Sequence, residues 1–131
     1  MQKELSVSTD KKYQTIDITD KVEKAVSSSG IKEGMAVVYV PHATAAIIVN
    51  ENWDPNIGDD FLDKLDELIP EGKYRHDKVD GNGAAHIKSA LVGPSETIPV
   101  KDSKLQLGTW QSVMLCEFDG PKSRRIIVCV Q

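Results

Sequence analysis

Three histidines carry most of the chemistry legible in these 131 residues. His42 follows Pro41 where an apolar run breaks, His76 lies in Tyr74-Arg75-His76-Asp77, and His86 follows the turn Asp80-Gly81-Asn82-Gly83. All three fall at element edges rather than inside apolar stripes. Three neutral imidazoles with an open fourth position are a common way to hold a catalytic divalent ion, zinc or another transition metal. No local His-x-x-x-His spacing imposes that geometry, so three unrelated surface or capping histidines fit the same pattern. The same stretch offers an anion site. Residues 84–91 read as a short helix with Asn82 as N-cap and Gly93-Pro94 as stop. Its first turn would present unpaired N–H groups, and Gly81 and Gly83 permit close approach of a phosphate. Lys88 would add positive charge or point to solvent. The plainer reading is a glycine loop followed by a packed helix.

Two further groups suit chemistry. Asn50, Glu51 and Asp54 directly follow an apolar strand, a position that favours binding and catalytic residues, although helix capping alone accounts for Asp54. Arg124 and Arg125 open the last strand beside Gly120-Pro121. Paired arginines suit phosphate or carboxylate recognition, and strand alternation sends them to opposite faces, so only one would enter a pocket. A gatekeeper role on an edge strand explains them equally well. Trp110 in Gly-Thr-Trp-Gln has two readings, packing in the core or covering a ligand, and composition favours core packing.

These residues need elements to position them. Residues 3–9 and 13–18 alternate about a turn at Asp10-Lys11-Lys12, which predicts a hairpin-like pair of strands. Asp20 and Glu23 resemble a capping box, with Val22, Ala25 and Val26 as a helical stripe ending at Gly30. The runs 34–40 and 43–49 lack charged alternation and read as central strands. Asp54-Pro55 starts a helix whose apolar stripe is Ile57, Phe61, Leu62, Leu65, Leu68 and Ile69. A short strand at 96–100, a turn at 101–104 and two strands at 112–118 and 123–130 complete the chain, the last two as a hairpin about Asp119-Gly120-Pro121-Lys122. The order predicts an α+β domain spanning residues 1–131: a mainly antiparallel sheet with helices packed against it.

Composition narrows the partners. With 16 Lys+Arg against 20 Asp+Glu, the net charge of −4 argues against nucleic-acid binding, which needs a basic field. No apolar run approaches the roughly 18 residues of a membrane span, and the first residues lack the apolar centre of a signal peptide, so a cytoplasmic location with no membrane partner is expected. Cys116 and Cys129 lie in separate apolar runs and read as buried, reduced thiols.

Taken together, His42-Ala-Thr-Ala-Ala, Asn50-Glu51-Asn-Trp-Asp54-Pro55, Tyr74-Arg-His76-Asp, Asp80-Gly-Asn, Ala85-His86-Ile-Lys88, Leu107-Gly-Thr-Trp-Gln111, Glu117-Phe-Asp-Gly-Pro and Arg124-Arg125 resemble the YjbQ family. The resemblance runs over nearly the whole chain in the family's order. Departures are small: Asp80 stands where the family often has Glu, Ser103-Lys104 replaces a usual Gly-Arg, and Ala43 replaces a Thr or Ser. The resemblance implies a compact α+β subunit, a homotrimer, and a pocket where His42, His76 and His86 gather, often around a metal. It also implies secondary thiamine-phosphate synthase activity, the joining of a hydroxymethylpyrimidine diphosphate to a thiazole phosphate with release of pyrophosphate. On that reading the partner is a small phosphorylated metabolite, a divalent cation (resident, or magnesium arriving with the substrate) and the arginines neutralise the diphosphate, and Glu51 or Glu117 handles a proton. A trimeric metal- or ligand-binding protein, or a metal-assisted hydrolase of a small phosphorylated molecule, are the alternative classes.

Overall fold

The computed structural model describes residues 1–131. In chain order the elements are β1 (Gln2–Ser8), β2 (Gln14–Asp17), α1 (Thr19–Ser28), β3 (Glu33–Tyr39), β4 (Ala45–Glu51), α2 (Asn56–Leu68), a 3₁₀ turn (Arg75–Lys78), α3 (Gly83–Val92), β5 (Ser95–Lys101), β6 (Lys104–Leu105), β7 (Gln111–Glu117) and β8 (Ser123–Val130). Five strands form one antiparallel sheet in the order β1-β8-β3-β5-β6, and three form a second in the order β2-β7-β4. This is the expected α+β class, with the strands divided between two sheets.

Period-two alternation explains the layers. On β4, Ala45 and Ile47 join the main core while Ala46 joins a second, smaller cluster. On β7, Val113 and Leu115 face the main core, and Cys116 with the following Phe118 belongs to the second cluster. The main core lies between the sheets and is closed by Ile18, Val22, Ala25 and Val26 at α1. The second lies between the three-stranded sheet and the helices, where Leu65 of α2 and Ala85 of α3 pack. Burial on both faces is why β4 and β7 lack an alternating polar side. The run 43–49 is therefore not a central strand. β4 is a terminal strand, apolar because both of its faces are covered.

Both anticipated hairpins are instead crossings between sheets. β1 pairs with β8 and β2 with β7, so Asp10-Lys11-Lys12 carries the chain from one sheet to the other. Asp119–Lys122 carries it back between β7 and β8. The two crossings bind each other: Thr9 N–H donates to Lys122 O at 2.9 Å, Gly120 N–H to Lys12 O at 3.1 Å, and Lys122 N–H to Thr9 Oγ1 at 2.8 Å. Gly120 is required there because a Cβ would stand 2.2 Å from Lys11 O. A true two-residue hairpin does join β5 to β6, with Asp102 and Ser103 both at positive φ, 53° and 60°.

The helix starts also differ from expectation. α1 begins without the Asp20–Glu23 box. Asp17 Oδ1 accepts from Thr19 N–H, and Glu23 reaches across to accept from Leu105 N–H. Asp54 does cap α2, accepting from Asn56 N–H at 2.9 Å. Its apolar stripe is only partly covered: Leu65 and Ile69 are buried, whereas Leu68 is exposed. Cys116 is buried, with its thiol pushed up to about 12 by burial, and Cys129 is half-buried; both are free. No helix is long and apolar enough to cross a membrane.

Candidate functional site

The first turn of α3 faces the loop before β4, and a cleft of about 340 Å³ opens between them. Its lining includes His42, Ala43, Ala45, His86, Ser89 and Pro94. That volume is within the range of small-molecule sites. His42 is held by an unusual donor: the Arg125 backbone N–H donates to its Nε2 at 3.0 Å. A neutral ring that accepts at Nε2 carries its proton on Nδ1, so the free nitrogen is a donor. Burial, followed by the charges of Arg124 and Arg125, lowers the His42 pKa below its ordinary value and keeps the ring neutral at pH 7. His86 enters the cleft from α3, and Ser89 follows one turn later on the same face. The Ser89 hydroxyl is buried without a hydrogen-bond partner. His76 sits on the 3₁₀ turn behind His86, their rings edge to face with centroids 4.5 Å apart.

The three histidines therefore occupy one end of the molecule. As placed, no group of three or more His, Cys, Asp or Glu side chains is arranged to hold an ion. The donor set gives the reason. His42 Nε2 is engaged by Arg125 N–H, and His76 meets the His86 ring edge-on rather than converging with it on a common point.

The first N–H of α3 is occupied rather than open. Asp77 Oδ1 accepts from Gly83 N–H at 2.8 Å and its Oδ2 from Tyr74 N–H at 3.1 Å, hydrogen bonds that hold its carboxyl below the usual range. Gly83 is a packing requirement, since a Cβ would lie 2.8 Å from Tyr74 Cβ. Asn82 occupies the cap position, but its amide donates to Asp119 Oδ2 at 2.9 Å. At the Gly83 N–H a phosphate would have to displace the Asp77 carboxylate.

Lys88 is on the other side of α3 from His86, about 200° round the helix. Its ammonium is buried, 3.1 Å from Asp66 Oδ1 and 4.2 Å from the Tyr13 ring centroid. It clamps α3 to α2 and to Tyr13, just before β2, rather than charging the cleft. Tyr13 in turn donates to Glu71, which Lys12 also pairs.

The arginines separate as alternation requires: Arg124 is buried and Arg125 exposed. Arg124 is neutralised internally. Its Nε donates to Glu117 Oε1 at 2.9 Å, its Nη2 to Glu117 Oε2, and Nη2 also to Thr44 Oγ1 at 2.8 Å. Glu117 is fully buried. Burial alone would raise its pKa, but Arg124, the Asp119 N–H and the Thr9 hydroxyl together hold it below the ordinary range. An ionised carboxylate with both oxygens engaged is a poor proton carrier near neutrality, so Glu117 stiffens the site rather than exchanging protons there. Arg125 pairs with the exposed Glu4 at 2.6 Å.

Glu51 and Asp54 lie elsewhere. Ala45 lines the cleft and Glu51 ends the same strand, so the two ends of β4 are roughly 20 Å apart. Near that far end lie Trp53 and Trp110, both exposed; Trp110 is not in the core. Sequence reasoning passed over Ser89, Thr44 and Asp77. The spacing of Ser89, three residues after His86 on one helix, is a signal that could have found it. Nothing local marks Thr44 or Asp77.

Residues 3–131 match the family model described as UPF0047 protein YjbQ-like. A UPF0047 protein of Archaeoglobus fulgidus is 45% identical over 126 residues, covering 95% of this chain and 97% of the relative. The UPF0047 protein YugU of Bacillus subtilis is 44% identical, covering 95% and 94%. Among solved structures, a conserved YjbQ/UPF0047 protein of Clostridium acetobutylicum is 48% identical with TM-score 0.94, covering 98% of each chain. A YbjQ-like protein of unknown function from Sulfolobus solfataricus superposes with TM-score 0.96 at 37% identity, covering 99% of this chain and 95% of that one. This chain belongs to the YjbQ/UPF0047 family.

Proposed function

We propose that the cleft between His42 and His86 binds a small phosphorylated metabolite, and that the chain works as a cytoplasmic homotrimer with secondary thiamine-phosphate synthase activity. The observation that carries this reading is the donor arrangement. A neutral His42 keeps Nδ1–H as a donor, and His86 lines the same cleft, whose other walls are mostly small side chains. Such donors suit the oxygens of a leaving diphosphate. In the reaction, the bond from the pyrimidine methylene to the diphosphate oxygen breaks with its electrons on oxygen. The thiazole nitrogen supplies the pair for the new C–N bond. His42 stabilises the charge that develops on the departing oxygen. The divalent cation is assigned to the diphosphate, with which it would arrive, because the imidazoles as placed do not form a resident centre.

Binding without turnover is the second reading. It is favoured by the engagement of Arg124 with Glu117 and by the distance of Glu51 and Asp54 from the cleft. Titration of isotopically labelled protein with the magnesium diphosphate ester, followed by NMR, tests the site. Shifts confined to His42, His86 and Ser89, and missing with the unphosphorylated alcohol, are expected. Equal shifts with both compounds would contradict a phosphate site.

A further inference from the structure

At the far end of β4, Trp53 and Trp110 stand with ring centroids 5.8 Å apart and planes at 65°. They are 79% and 60% exposed, large values for indoles. With Asp17, Asn52, Thr109 and Ser112 they line one hollow. Asp17 is its single charged group. Its Oδ1 accepts from Thr19 N–H at 2.9 Å and from Thr19 Oγ1 at 2.6 Å, and its Oδ2 from Asn52 Nδ2 at 3.1 Å. Every one of these partners is a neutral donor. They fix the carboxylate without discharging it.

We propose that this corner binds an organic ammonium ion, with the two indole faces and the Asp17 carboxylate as its walls. The electron-rich faces of Trp attract a cation within about 6 Å, and Trp is the strongest of the aromatic side chains in this respect. A fixed carboxylate beside the rings adds a Coulombic attraction that a neutral aromatic guest would not use. Weakly hydrated alkylammonium ions suit apolar walls better than sodium or potassium, because they give up less hydration on contact. The site is separate from the histidine cleft and does not depend on the transferase reading.

The two indoles are the protein's only tryptophans, so intrinsic emission reports on this corner alone. The experiment titrates the full chain with tetramethylammonium chloride at constant ionic strength, and in parallel with tert-butyl alcohol as a neutral probe of similar shape. A saturable emission change is expected with the ammonium ion and not with the alcohol. Asp17→Asn should weaken the ammonium response about fivefold. Trp110→Leu should abolish saturation at Trp53 with an unchanged far-ultraviolet circular dichroism spectrum. Should Asp17→Asn fail to fold, the comparison of the two probes on the unaltered protein decides the matter. Equal responses to both probes, or a linear and unsaturable change, would overturn the proposal. So would emission that reports buried indoles, moves on dilution and ignores both probes, since that would assign the corner to a contact between chains.

Discussion

At the residue scale, the buried Glu117–Arg124 pair bears most directly on stability. Glu117 is fully buried and Arg124 is 2% exposed, so removing either partner strands a charge. Arg124→Met should cost about 3–5 kcal/mol in urea unfolding, the usual range for a broken buried pair. The pH dependence follows from the direction of the shifts. Glu117, Asp17 and Asp119 have folded pKa values below their unfolded ones. Their stabilisation is present above the ordinary carboxyl range and is lost as pH falls through the lower folded values. His42 adds to this in the same direction. Its folded pKa is depressed, so the unfolded chain takes up its proton first, and stability declines as pH drops below about 6.5. Denaturant midpoints measured between pH 8 and pH 4 should fall monotonically. A midpoint that rises towards pH 5 would contradict these assignments.

At the element scale, the fold depends on the two crossings that tie the sheets together. Gly120→Ala should cost about 1–3 kcal/mol, because its methyl would meet the Lys11 carbonyl, a backbone atom held by the opposite crossing. Thermal unfolding of that variant checks this, and an unchanged melting temperature would show that the crossings can move apart. These same crossings mark where the sequence misleads. Asp10-Lys11-Lys12 and Asp119-Gly120-Pro121-Lys122 have the composition of hairpin turns. Whether flanking strands pair with each other or with strands distant in sequence is decided by long-range registry, such as β1 with β8. What alternation controls locally was legible: the buried Val22, Ala25 and Val26 of α1, and the division of Arg124 from Arg125. The gathering of His42, His76 and His86 at one end was legible from their shared placement at element edges together with family resemblance, although no spacing imposes it. The Asp77 cap on α3 was not legible, since it arises from a 3₁₀ turn that folds back on the helix. Trp110 misled for a related reason: size suggests burial, but its position is set by the loop that leads into β7.

At the scale of the whole molecule, the candidate site residues read from the sequence divide between the two ends of β4. His42 and His86 are at one end, Glu51 and Asp54 at the other. Family resemblance also implies a homotrimer. Light scattering should report three times the 14.4 kDa subunit mass at micromolar concentration, and a stable monomer would contradict that expectation. The central claim is that the His42–His86 cleft performs the synthase reaction. Its most direct measurement is pyrophosphate release when the purified protein is given the pyrimidine diphosphate, the thiazole phosphate and magnesium. The account predicts stoichiometric pyrophosphate and thiamine phosphate, with the rate falling about 10²-fold or more in His42→Ala while the melting temperature is kept. Absence of product from the unaltered protein, or an undiminished rate in His42→Ala, would contradict it.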